Sequence, residues 1–136
     1  MAREMGKLFY ALGIISEKNK LIEVDPIADL TSQYQSEYTQ KVRDVFDRAL
    51  GGVLFIDEAY QLAKDEQGRK VLDQIVKRLT EPAYSNMVVI MAGYSDDMQE
   101  LFKVNSGLKR RFPHEVIFDD FTPAELCQIF YQCMER

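Results

Sequence analysis

Tryptophan is absent from this chain, histidine occurs once and cysteine twice. Cys127 and Cys133 stand six apart in a stretch with helical periodicity. That spacing puts them on different helix faces, which disfavours an internal disulfide or a paired metal site and suits a reducing compartment, cytoplasmic or organelle matrix. His114, the single imidazole, reads as a structural or surface residue. No apolar run approaches the roughly 20 residues of a membrane-spanning helix. The polar start, residues 1–7, has no apolar segment of the kind that marks a signal peptide. Basic clusters are missing too. Lys and Arg number 17 against 22 Asp and Glu, a net charge of −5. The tightest basic group, Lys109-Arg110-Arg111, is too small for a footprint on nucleic acid. No repeat, low-complexity tract or linker divides the 136 residues, so the expectation is one globular domain with room for a core.

What is present is organised around Gly51-Gly52-Val53-Leu54-Phe55-Ile56-Asp57-Glu58-Ala59-Tyr60. Four consecutive apolar residues bounded by glycine predict a strand buried on both faces, as in a parallel sheet with helices on each side. Ligands of such sheets bind beyond the carboxyl ends of the strands, where Asp57 and Glu58 emerge. An apolar strand ending in Asp-Glu is the Walker B pattern. Its Asp holds Mg²⁺, directly or through water, and its Glu polarises the water that attacks a γ-phosphate. The competing reading is a pair of acids that merely caps the following helix at the positive end of its dipole.

Along the chain, Met5, Leu8, Phe9 and Leu12 have the spacing of an amphipathic helix over 2–12, stopped by Gly13. Residues 21–24 predict a short strand. An exposed polar loop over 29–38 enters a helix with Val42, Val45, Phe46 and Ala49 on its inner face. After Tyr60, a charged loop over 64–70 precedes a helix with Val71, Leu72, Ile75, Val76 and Leu79 inward, stopped at Glu81-Pro82. Residues 87–92 are a second fully apolar strand. Ser95-Asp96-Asp97 predicts the cap and first turn of a short helix through Phe102. Residues 107–112 are basic and 114–118 alternate like a strand. Thr122-Pro123-Ala124-Glu125 is a capping box opening a last helix. Alternating strands and helices with fully apolar strands predict an α/β, mostly parallel, doubly wound architecture.

Three blocks carry a resemblance: residues 49–60, Val88-Val89-Ile90-Met91-Ala92-Gly93-Tyr94, and Asn105-Ser106-Gly107-Leu108-Lys109-Arg110-Arg111-Phe112-Pro113. In order and spacing they closely resemble the AAA+ ATPase branch containing red-type Rubisco activase and the sporulation protein K group, from about Arg3 to the C-terminus. The resemblance implies a three-layer α/β sandwich with a mostly parallel sheet, the large subdomain of a P-loop NTPase truncated before its first helix. Residues 1–121 would be the AAA+ core without its first strand and phosphate loop, and 122–136 the start of the helical lid. Asp57 and Glu58 would be the Walker B pair, Asp57 at the metal and nucleotide and Glu58 catalytic. Arg111 looks like the arginine finger that reaches a neighbouring subunit's ATP. Tyr94 falls at the polar sensor position, where most members have Asn or Thr, and a packing role stands beside that one. Tyr34 aligns with the aromatic of the pore loop that grips a polypeptide, although Tyr34-Gln35-Ser36 lacks the family's aliphatic residue and glycine. The implied chemistry is Mg²⁺-dependent ATP hydrolysis in a homo-oligomeric ring, a hexamer, that remodels a protein substrate without nucleic acid or membrane.

Against that stands the absence of any Gly-x-x-x-x-Gly-Lys-[Ser/Thr], the loop whose N–H groups and Lys hold the phosphates. The only Gly-Lys is Gly6-Lys7, inside a helical pattern. Two readings follow: a truncated version of a working AAA+ ATPase, or a degenerate, non-catalytic AAA+-like module for interaction or regulation. A helicase built on Asp57-Glu58-Ala59-Tyr60 is disfavoured by the acidic charge balance. The missing first strand further predicts that residues 114–118, or another chain, move in beside 87–92.

Overall fold

The computed structural model describes residues 2–17, 20–115, 117 and 122–134. Three strands, β1 (Leu21–Val24), β2 (Val53–Ile56) and β3 (Val88–Met91), form a parallel sheet in the order β1-β2-β3. The register aligns Val24, Ile56 and Met91 across the sheet, and likewise Ile22, Leu54 and Val89. These six share one face and join the main apolar core. Two helices pack there, α2 (Gln35–Ala49) and α3 (Glu66–Leu79). On the other face Val53 is fully buried and lies against Gly6 of α1 (Ala2–Ala11). Helices on both faces of a parallel sheet make the three-layer α/β architecture that the alternation of elements predicted.

The inner face of α2 carries Tyr38, Val42, Val45, Phe46 and Ala49, all buried, a stripe at the helical period. Phe46 meets Tyr84 edge-on, ring centroids 5.3 Å apart, and the Tyr84 hydroxyl donates to Asp47 Oδ1 at 2.7 Å. Tyr84 belongs to a short 3-10 turn, Pro82–Tyr84, that follows α3. Arg78, near the end of α3, is also buried and pairs through Nη1 with Glu81 Oε1 at 2.8 Å. A buried arginine on the inward face is something apolar periodicity does not announce.

Several boundaries differ from the sequence reading. The charged stretch over 64–70 is largely helix, because Asp65 Oδ1 accepts the Gly68 N–H at 2.7 Å and caps α3 there. Before it, Ala59–Ala63 forms a 3-10 turn. Gly68 lies against that turn so closely that a Cβ would stand 2.2 Å from the Leu62 carbonyl oxygen. Helix α4 (Ser95–Val104) runs past Phe102, and the residue before it is Tyr94, which makes no side-chain cap. Ser95 is therefore inside the helix rather than its cap. The basic segment is a short helix, α5 (Ser106–Arg111), capped by Asn105 through the Gly107 N–H at 2.9 Å. Leu8 in α1 and Leu12 just after it are 55% and 65% exposed, so the apolar stripe expected over 2–12 is only partly covered. Gly6-Lys7 sits inside that helix, as read.

Strand β3 is half-buried along its length, unlike the buried β2. Among the described residues it is one of the sheet's two edges, β1 being the other. His114, Glu115 and Ile117 are in no strand. Val116 and Phe118, the rest of the expected strand, lie outside the described residues. The capping box is present at α6 (Pro123–Met134): the Thr122 N–H donates to Glu125 Oε2 at 2.8 Å, and the Glu125 N–H donates to Thr122 Oγ1 at 3.3 Å. Cys127 in α6 is a free, exposed thiol. None of the described helices is long and apolar enough to cross a membrane.

Candidate functional site

Strand β2, between its two neighbours, delivers Asp57 and Glu58 at the carboxyl edge of the sheet. The turn that follows is stitched to β3: the Ala92 N–H donates to Ile56 O at 3.0 Å, and the Ala59 N–H donates to Ala92 O at 3.1 Å. Both acids are exposed, and among the described residues neither forms an ion pair. Asp57 Oδ1 accepts the Glu58 N–H at 2.9 Å, and Oδ2 has no hydrogen bond among the described residues. Glu58 has φ 52° and ψ 40°, a left-handed conformation that costs a residue with a Cβ about 1–2 kcal/mol. Strain of that kind collects at functional sites. Glu58 occupies the position before the 3-10 turn, yet its side chain makes no capping bond. Instead Glu58 Oε2 accepts from Gln61 Nε2 at 2.9 Å.

A cleft of ≈ 270 Å³ opens between the ends of β1 and β2, lined by Glu23, Val24, Asp25, Phe55, Asp57 and Glu58. Asp25 is already engaged, since its Oδ1 accepts the N–H groups of Ile27 and Ala28, each at 2.9 Å. Asp57 Oδ1 is engaged as well, so each of these aspartates has one oxygen, Oδ2, without a hydrogen bond among the described residues. A hard carboxylate oxygen in an open site suits Mg²⁺, which keeps most of its shell as water and phosphate oxygens. No cluster of three or more metal-ligating side chains occurs among the described residues. A larger depression of ≈ 360 Å³ runs along the exposed face of α2, among Ser36, Glu37, Gln40, Lys41 and Asp44. It is remote in sequence from the acids after β2 and has no comparable chemistry.

Beside the acids, the Tyr60 and Tyr94 rings lie 6.4 Å apart at 39°, and Lys64 Nζ stands 5.4 Å from the Tyr60 ring centre. Gly93 permits this approach, because a Cβ there would come within 2.8 Å of Tyr60 Cδ1 and Met98 Sδ. The Tyr60 hydroxyl is pushed above its usual 10, first by desolvation and then by the field of Glu58, Asp97, Tyr94 and Asp57. The carboxyl edge is thus electronegative, a setting for a cation before an anion. Tyr94 itself is 73% exposed at the end of β3.

The other two expected site residues do not line the cleft that holds the acids. Arg111 ends α5, exposed, and makes no ion pair among the described residues. Its helix is anchored by the buried Leu108, by packing on α3 and α4, and by Asn105, which donates to Asp73 Oδ1 at 2.6 Å. The exposed cation therefore sits on a fixed base. Tyr34, 64% exposed, immediately precedes α2 at the end of the crossover loop from β1. Sequence reasoning missed Gln61 and the packing role of Tyr60. Three-residue spacing in a 3-10 turn would have pointed to Gln61, had the turn been legible.

The family described as "ATPase family associated with various cellular activities (AAA)" matches residues 3–120. The chain belongs to the AAA ATPase family. Among relatives of this AAA chain is "Stage V sporulation protein K" of Bacillus subtilis, 39% identical over 132 residues, covering 95% of the chain and 40% of the relative. "ESX-1 secretion system protein EccA1" of Mycolicibacterium smegmatis is 39% identical over 135 residues, with 95% and 23% covered. "Protein CbbX" of Cereibacter sphaeroides is 36% identical over 132 residues, with 95% and 42% covered. The chain therefore spans less than half the length of each of these relatives. Sporulation protein K is a member of the branch that the three sequence blocks resembled.

Proposed function

We propose that this AAA chain supplies the Walker B acids and the arginine finger of an ATPase whose Mg²⁺-dependent hydrolysis, at the boundary between subunits of a ring, drives the remodelling of a protein partner. The observation that carries the reading is the pair Asp57 and Glu58, both exposed at the carboxyl edge beyond a buried strand and, among the described residues, tied into no ion pair. Asp57 would hold the metal and Glu58 would take the proton of the attacking water. Mg²⁺, when bound, neutralises charge on the β- and γ-phosphate oxygens. Arg111, exposed on an anchored helix end and outside the cleft lined by its own acids, suits delivery to the next subunit's nucleotide. A finger of this kind contributes about 10³–10⁵ in rate.

Tyr94 would stand over the nucleotide as sensor, and Tyr34 would face a polypeptide in the pore of a hexamer. Residues 122–136 would open the helical lid, and the chaperone-like work would take place in the cytoplasm or an organelle matrix. The test is ATP turnover by the full-length gene product carrying this segment. Glu58→Gln is expected to lower kcat by about 10² or more, as for loss of a general base, with ATP still bound. Unchanged turnover overturns the reading. One observation favours a second reading, a non-catalytic AAA+-like interaction or regulatory module: these 136 residues contain no Gly-x-x-x-x-Gly-Lys-[Ser/Thr]. A full-length product that forms rings but neither binds nor hydrolyses ATP would establish it.

A further inference from the structure

We infer that Gln61 is a positioning residue for Glu58, holding one carboxylate oxygen so that the other faces the attacking water; this rests on the hydrolytic reading above. A 3-10 turn has three residues per turn, so side chains at i and i+3 eclipse. Glu58 and Gln61 are such a pair across the start of Ala59–Ala63. Gln61 Nε2 donates to Glu58 Oε2 at 2.9 Å, and the Gln61 backbone N–H donates to the Glu58 carbonyl at 3.1 Å. The bridge is therefore closed at both side chain and backbone.

Its base is fixed. Ala59 and Leu62 are fully buried, and the Ala59 N–H is bonded to Ala92 O beyond β3. Glu58 itself is exposed, on a long side chain that would otherwise sample several rotamers. Among the described residues Oε1 has no hydrogen-bond partner, so its lone pairs remain available to a water proton. An amide suits the task because it orients a carboxylate without neutralising it, as Lys or Arg at the same place would. A base held within reach of its proton is worth a large factor, since a displacement of about 1 Å costs on the order of 10²-fold.

Two measurements test this. In the 136-residue chain, the NMR side-chain amide signals of Gln61 are compared with those of Glu58→Ala. The expected result is a shift of the Gln61 amide proton and at least a severalfold faster exchange, with the other glutamine amides unmoved. A Gln61 amide indifferent to Glu58 overturns the inference. In the full-length protein, Gln61→Ala is expected to lower kcat roughly tenfold with the KM for ATP and the melting temperature unchanged, a loss smaller than that of a wholly misplaced base. Gln61→Glu keeps the length but loses the donor, and is expected to lose kcat as well. A merely structural glutamine would move the melting temperature and leave kcat alone, which also overturns the inference. A wild-type protein without turnover sinks the hydrolytic reading and the catalytic consequence together, while the clamp is then judged by the amide signals.

Discussion

Glu58 carries its carboxylate on a backbone that glycine would adopt more readily. Glu58→Gly removes the left-handed cost of about 1–2 kcal/mol and adds about 0.4–1 kcal/mol of unfolded-chain freedom. The expected net is a stabilisation of up to about 1.6 kcal/mol, read as a rise of a few degrees in Tm, with any turnover lost. Glu58→Ala loses the same bond to Gln61 but keeps a Cβ, so a glycine variant that melts no higher than the alanine variant would show that the conformation is not strained. Tyr84 gives a second prediction at this scale. Burial first, and then the bond to Asp47, raise its hydroxyl above the usual 10. A raised pKa means that the folded chain keeps a proton the unfolded chain releases. That contribution is whole below about pH 10, the unfolded value, and is lost as pH climbs toward the folded value. In urea unfolding, Tyr84→Phe is expected to cost about 1 kcal/mol at pH 8 and to show a shallower loss above pH 10 than the wild type. An equal alkaline slope would remove Tyr84 from the account. The two acids were legible in the sequence because an apolar run abuts them. The backbone angle of Glu58 was not, since nothing in a glutamate announces a positive φ.

Among the elements, the strands and the inner face of α2 were readable because period 2 and period 3.6 leave different marks on the chain. Misreadings fell where local hydrogen bonds decide. Asp65 turns a charged stretch into the first turns of α3, and Tyr94 displaces Ser95 from the cap of α4. Strand β3 has the same apolar run as a buried strand, yet lies half-exposed at an edge. Its composition records the two faces of the sheet and says nothing of its flank. Gly68 shows how packing outweighs propensity. Alanine there would gain about 1 kcal/mol as a helix former, but its Cβ would meet the backbone oxygen of Leu62 at 2.2 Å. Gly68→Ala is expected to destabilise by about 1–3 kcal/mol, seen as a lower urea midpoint. A stabilised variant would mean that the turn Ala59–Ala63 yields freely, and the fixed base argued for Gln61 would go with it.

For the molecule as a whole, the acids, the aromatic pair and the exposed arginine belong to one account only if two copies meet. The 136 residues hold no phosphate-binding loop. Calorimetry with Mg²⁺ and ATP on this chain alone is therefore expected to show no micromolar binding. Micromolar binding would reveal a nucleotide cradle that the fold and the sequence do not provide. Arg111 stands out in the sequence only through its register with the blocks before it, since three basic residues in a row have no signature of their own. The most direct measurement is subunit mixing in the full-length protein. Glu58→Gln subunits keep the arginine, and Arg111→Ala subunits keep the acid, so each variant alone lacks a complete site. Mixed rings contain boundaries where an intact Glu58 meets an intact Arg111. The account predicts ATP turnover in the mixture well above that of either variant alone; mixed rings that assemble and stay as inactive as their parents would contradict it.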